Sequence, residues 1–279
     1  MKKILLSTLA LCLALCVSCK KDSDNGGNVS PTIKKTLSKL YLTYSYKSYI
    51  SFDNINWELD DHEEYDHVLN TEYIYNGDKL SETIKYFNNG DINTRDTITY
   101  SENGLITNIT EYNTLSEDNW VLSYDNGLLT KADQYSNGLM TSSFDYSYTD
   151  NRLTKVIYTS SDYVYTYEIT WTGDNVTQTK GIIGDWEYIT TYNYDDKINP
   201  YKEIPAFETL SIVFTDFAAL SKNNVISRST NMLENTSYTY QYDGDYPSET
   251  EFSIEDSFNY GYMWFKSITT YHHYLTYLQ

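Results

Sequence analysis

Tyr124-Asp125-Asn126-Gly127-Leu128-Leu129-Thr130 is the stretch that decides the fold. Asn-Gly between apolar runs signals a two-residue hairpin loop, because a type I′ turn needs positive φ at both central positions. Such a loop sets Tyr124 opposite Leu129 on one face of the hairpin. The same relation, an aromatic followed five residues later by an aliphatic, returns at Tyr75/Leu80, Tyr100/Leu105, Tyr148/Leu153 and Trp171/Val176. These aromatics stand 25, 24, 24 and 23 residues apart in the order Tyr75, Tyr100, Tyr124, Tyr148, Trp171. Tyr194 follows after 23 more, and Tyr242 after a further 48, two periods on. A period of this kind marks a chain built from one repeated supersecondary unit.

Working outward, one set of turns falls at Gly77-Asp78, Asn103-Gly104, Asn126-Gly127, Asp150-Asn151, Gly173-Asp174 and Asp195-Asp196. A second set lies between them, at Asn89-Gly90, Leu115 to Asp118, Asn137-Gly138, Ser160 to Asp162 and Gly184-Asp185. Turns about every 12 residues suit an up-and-down meander of short strands. A second aromatic, at Tyr86, Tyr112, Tyr135 and Tyr158, marks the far end of each returning strand. Period-two alternation assigns the faces. Tyr165, Tyr167, Ile169 and Trp171 share one side, with Thr166, Glu168 and Thr170 on the other. Phe144, Tyr146 and Tyr148, then Trp186, Tyr188, Tyr192 and Tyr194, then Tyr238, Tyr240 and Tyr242, repeat the pattern. One aromatic face and one wet face describe an antiparallel sheet with a single buried side.

The register breaks at Asn199-Pro200-Tyr201, because proline cannot donate to a ladder. Ala206 to Leu220 has the apolar pattern of a short helix or a large loop packed on the sheet. Hairpin chemistry resumes at Asn223-Asn224 and Asp243-Gly244, and an aromatic strand from Tyr260 to Tyr271 closes the chain. The expected fold is all-β: an antiparallel meander of hairpin repeats of about 24 residues, curled or closed into a water-soluble barrel.

The N-terminus carries a different message. Met1-Lys2-Lys3 is a positive start, and Ile4 to Ser18 is an apolar run too short to span a bilayer comfortably. Leu15-Cys16-Val17-Ser18-Cys19 resembles a bacterial lipoprotein box, with cleavage before Cys19 and lipidation of its thiol. The expected division is a signal peptide at 1–18, a lipidated cysteine and flexible tether at 19–39, and one β domain at 40–279. Cleavage removes Cys12 and Cys16, which leaves no internal disulfide and no cysteine-ligated metal. It also leaves 18 basic against 39 acidic residues, a balance that argues against nucleic acid and anionic lipid as partners.

Tyr124 to Thr130 and Tyr148-Thr149-Asp150-Asn151-Arg152-Leu153-Thr154 resemble the tyrosine–aspartate (YD/RHS) repeat of large bacterial shell-forming proteins. The chain as a whole is similar to short Bacteroidota lipoproteins that carry a domain of unknown function described as porin-like in fold. The matching features are Cys19 with Lys20-Lys21-Asp22, the hairpin repeats, Tyr194-Asp195 with Asn199-Pro200-Tyr201, and Tyr242-Asp243-Gly244-Asp245-Tyr246-Pro247-Ser248-Glu249. The resemblance implies a fold and an address at the outer membrane, lipid-anchored and on the cell surface rather than facing the periplasm. It implies no activity.

Chemistry is sparse. Asp60-Asp61-His62-Glu63-Glu64-Tyr65-Asp66-His67 is the one cluster with metal-ligand types, but its histidines are five apart and on a regular strand would face opposite ways. A solvated acidic hairpin is the preferred reading over a loose calcium site. His272 and His273 read as structural or surface residues. No Gly-x-Ser-x-Gly elbow, cysteine nucleophile or phosphate-binding glycine loop is present, so no cofactor and no catalytic residue is assigned. The periodic aromatics read as core, since a binding site is local and a core is periodic. Tryptophans off the period, Trp57, Trp120, Trp186 and Trp264, are therefore the candidate ligand-binding residues. The expected role is binding or structural, without catalysis. A glycan-binding module of a surface polysaccharide system is the alternative, and a glycoside hydrolase a third reading. The expected partners are a membrane through the lipid, and glycans or other envelope proteins.

Overall fold

The computed structural model describes residues 36–53, 55–199, 205–231, 235–243, 246–259 and 264–278. Cys19, the apolar leader and Pro200-Tyr201 lie outside the described residues. The first eight strands are β1 Thr36–Ser51, β2 Glu58–Asn76, β3 Lys79–Tyr86, β4 Ile92–Tyr100, β5 Ile106–Asn113, β6 Glu117–Asp125, β7 Leu128–Ser136 and β8 Leu139–Thr149. The next four are β9 Arg152–Ser160, β10 Val164–Thr172, β11 Asn175–Ile183 and β12 Trp186–Ile198. A helix, α1 Pro205–Val213, and a 3-10 turn at Phe217–Leu220 follow. The last four strands are β13 Asn223–Thr230, β14 Asn235–Asp243, β15 Tyr246–Asn259 and β16 Trp264–Leu278. Each strand pairs antiparallel with its neighbours in sequence, and β1 also pairs with β16, so the sheet closes into a sixteen-stranded barrel.

The hairpin turns take the geometry that their residues require. Asn126 and Gly127 both have positive φ, 50° and 83°, as a type I′ turn demands. Tyr124 pairs with Leu129, and Tyr75/Leu80, Tyr148/Leu153 and Trp171/Val176 pair likewise. Tyr100 departs from the scheme and faces Ile106, not Leu105. Its turn is longer, with the Ser101 N–H bonded to Leu105 O and the Gly104 N–H to Ser101 O.

One residue after each aliphatic partner the register shifts by a bulge, and the extra residue is Ser or Thr. Its hydroxyl donates to the carbonyl seven residues back: Ser81 to Ile74, Thr130 to Ser123, Thr154 to Ser147 and Thr177 to Thr170, at 3.0–3.4 Å. Repeated bulges at one position increase local twist and curl a sheet toward closure. The periodic aromatics then tie one hairpin to the last. Tyr100 Oη donates to Leu80 O at 2.8 Å, Trp171 Nε1 to Leu153 O at 2.8 Å, and Tyr194 Oη to Val176 O.

The aromatic face points inward. On β8, Phe144 and Tyr146 are buried while Asp145 and Ser147 are exposed, and on β10 Ile169 is buried between exposed Glu168 and Thr170. Sixteen strands enclose more space than side chains from the wall can fill. The excursion between β12 and β13 fills much of it at one end. Phe207 of α1 packs edge-on against Tyr73 of β2 at 5.5 Å, Phe214 against Trp120 of β6 at 5.4 Å, and Phe217 against Tyr167 of β10 at 5.2 Å. Strands β2 and β10 lie eight places apart in a ring of sixteen, so this plug reaches opposite walls.

Several boundaries differ from those expected. Strand β1 begins at Thr36, inside the stretch read as tether. No turn forms at Asp195-Asp196, because β12 continues to Ile198, and Asn223-Asn224 open a strand instead of a turn. The Asp195 carboxylate explains both. It accepts from Tyr242 Oη at 2.6 Å, the Asn224 N–H at 3.1 Å and the Lys197 N–H at 3.0 Å, and so clamps the strands where the repeat is interrupted. The closing strand runs from Trp264 to Leu278, well past Tyr271.

The two histidines of the acidic cluster do not face opposite ways. A bulge sets Asp66 and His67 together against Thr43, with His67 at φ 48°, and His67 stacks on Tyr41 at 4.7 Å. His62 pairs with Lys47, which shares the face of Tyr41, so the extra residue brings both histidines to the outer side.

Candidate functional site: a cavity at the plugged end

The meander puts alternate turns at opposite rims, and the first set of turns shares its rim with the plug. There β6, β8 and β10 deliver Tyr124, Tyr148 and Trp171 to the same height on successive hairpins. Between them and the plug lies a cavity of about 600 Å³. Tyr124, Tyr148 and Trp171 form its wall, and Leu129, Leu153, Ile212 and Leu220 its apolar floor. Arg152, Asp174, Glu208 and Lys222 add two cationic and two acidic side chains, all exposed and therefore at its mouth.

The wall is held in place by its neighbours. Trp171 is fixed by its bond to Leu153 O, and the Arg152 guanidinium sits over its ring at 5.6 Å. Arg152 is itself pinned, to Asp174 Oδ1 at 2.8 Å and to Gly173 O. Lys79 stands over Tyr100 at 5.1 Å in the same way, one residue before the aliphatic of its own repeat. Leu128 occupies that position in the Tyr124 hairpin, so the cation that would cover the next aromatic, Tyr148, is missing. Burial raises the Tyr124 and Tyr148 hydroxyl pKa values, and Glu208 adds to the effect at Tyr148. The Tyr124 hydroxyl, buried without a backbone acceptor, lies by Thr209 of α1.

The off-period tryptophans do not form one site. Trp120 is 7% exposed and packed against Phe214 in the core. Trp186 is 65% exposed at the start of β12, on the rim opposite the plug. Trp57, half-buried, sits between β1 and β2 on that rim, and Trp264 opens β16 there. The cavity is walled instead by residues of the period itself. No sequence signal singles them out, since the position before the aliphatic is a cation at Lys79 and Arg152 but not at Gly104, Leu128 or Asn175.

Carboxyl groups with perturbed protonation lie elsewhere. Asp96, 4% exposed on the lumenal face of β4, pairs across strands with Glu111, and Glu111 with Asp118. Burial raises the pKa of Asp96 and of Glu111, although Lys85 stands 3.6 Å from Asp96. None of the three lines the cavity. Among the described residues no group of three or more His, Cys, Asp or Glu side chains is placed to hold a metal ion.

Fold and site together define a class: a closed, sixteen-stranded antiparallel barrel with an internal plug and a cavity beside it. In architecture it is similar to a porin-like protein from Bacteroides uniformis. The two share a TM-score of 0.52 and 12% identity over 87% of this chain and 96% of that one. That likeness concerns the fold. The sequence matches no known family and no characterised protein.

Proposed function

We propose that this is a water-soluble, non-catalytic barrel, tied to the outer membrane by a lipid on Cys19, that binds a saccharide at its plugged end. The observation that carries the reading is the cavity walled by Tyr124, Tyr148 and Trp171. Flat aromatic faces suit the C–H faces of sugar rings, and a mouth of both charge signs can donate to and accept from hydroxyls without selecting a net charge. A volume of about 600 Å³ falls within the usual range of small-ligand pockets.

Two features speak against a lipid-embedded pore. Exposed outward positions such as Asp145, Ser147, Glu168 and Thr170 do not make the apolar band that a membrane-spanning barrel presents to lipid. The plug meanwhile crosses the lumen between opposite walls. A hydrolase would need its perturbed carboxyls in the cleft, and Asp96 and Glu111 are not there.

Thermal unfolding of residues 20–279, which keep every described strand, against a glycan panel tests the reading. A ligand at 100 times its Kd stabilises the fold by about 2.7 kcal/mol, visible as a raised midpoint. A panel without any shift removes the saccharide from the proposal.

A further inference from the structure

The rim opposite the plug has its own chemistry, independent of the cavity. Every described hairpin there carries an exposed large apolar side chain at or beside its tip: Phe52, Phe87, Leu115, Leu139, Tyr163 and Trp186. Leu115 is 92% exposed and Leu139 74%. The five described turns at the plugged rim, from Gly77-Asp78 to Gly173-Asp174, expose no large apolar side chain. Scattered single hydrophobics are ordinary on a protein surface, but one per hairpin around a single rim is not scatter.

We propose that this rim is a docking ring for an uncharged lipid surface, into which the hairpin tips insert. The tips are spaced around the mouth of a barrel. A fluid plane can receive all of them at once. Four of the six are Phe, Tyr or Trp, and Tyr and Trp are the side chains that settle at the level of lipid headgroups.

Acidic residues share the same tips: exposed Asp91, Glu117, Asp162 and Asp185. They set the surface that fits. A zwitterionic headgroup layer tolerates them, whereas an anionic layer repels them. A second copy docked rim to rim would place these carboxylates against their own counterparts. Strand β1 opens at Thr36 on the plugged rim, so the described chain begins at the end of the barrel away from the ring.

The test is co-sedimentation of residues 20–279 with phosphatidylcholine vesicles, with and without one-third phosphatidylglycerol. Bilayers brominated at shallow depth serve as quenchers of tryptophan emission. The expected result is binding to phosphatidylcholine, weakened severalfold by phosphatidylglycerol, with part of the emission quenched. The combined Leu115→Ser, Leu139→Ser, Trp186→Ser variant, at an unchanged unfolding midpoint, should bind at least tenfold more weakly. Absence of binding to phosphatidylcholine overturns the proposal, as does equal binding by the variant. Concentration-dependent self-association that the variant abolishes, without vesicle binding, would show the rim to be a contact between copies and overturns it too.

Discussion

Tyr100 Oη donates to the main-chain carbonyl of Leu80 at 2.8 Å, across twenty residues and from one hairpin to the one before. The β3–β4 ladder runs toward the turn only as far as Glu82 opposite Thr97, short of Leu80, and the tyrosine supplies a donor to the carbonyl beyond it. Trp171 does the same for Leu153 with its indole N–H. The aromatic period is thus also a hydrogen-bonding period.

Removing that one oxygen should therefore be costly at Tyr100 and cheap at Tyr124. Tyr100→Phe leaves the Leu80 carbonyl without its partner and should cost about 1–2 kcal/mol. Tyr124→Phe removes a hydroxyl with no backbone acceptor and should cost less than half as much. Urea unfolding of the two variants, with unchanged m, measures the difference.

The plug should be a structural part of the barrel. Phe217 is buried against Tyr167, so Phe217→Ala should cost about 3–5 kcal/mol. For a domain of this size that lowers the midpoint by roughly 6–20 °C. Leu115→Ala, at an exposed tip, should stay within about 0.5 kcal/mol. Equal midpoints for the two variants would show that the plug is only loosely seated.

Two groups inside the barrel titrate in opposite senses. Burial pushes the Asp216 carboxyl up to about 6 from an ordinary 3.8, so it favours the fold below pH 4 and loses that contribution as pH rises through 6. Burial, with His272 beside it, pulls His273 down to about 4 from 6.5. It favours the fold above pH 6.5 and loses that contribution as pH falls through 4. Between pH 4 and 6 the two offset each other. Relative to the parent, Asp216→Asn should lose stability on acidification across that window, and His273→Gln should gain it. Melting curves at half-unit pH steps read both slopes.

Most of the barrel was legible in the sequence because its repeat is local chemistry. Asn126-Gly127 determines a turn, the turn sets Tyr124 against Leu129, and Thr130 after them is the bulge that curls the sheet. Asp195 was misread as a turn residue because its partners, Asn224 and Tyr242, are distant in sequence. His67 escaped for a related reason, since one extra residue in a bulge reverses every face assigned by alternation. The cavity was hidden more deeply. Tyr124, Tyr148 and Trp171 differ from their equivalents only in what the plug leaves uncovered, and where a plug docks depends on long-range packing.

The most direct measurement is a calorimetric titration of the glycan that gives the largest thermal shift, into the parent and into the Tyr148→Ala and Trp57→Ala variants. Tyr148, like Tyr124, is a cavity wall residue without the kind of cation that stands over Trp171, and Trp57 lies at the far rim. A cavity site predicts at least tenfold weaker binding for Tyr148→Ala and parental affinity for Trp57→Ala. Undiminished binding by Tyr148→Ala, or loss in Trp57→Ala alone, would contradict it.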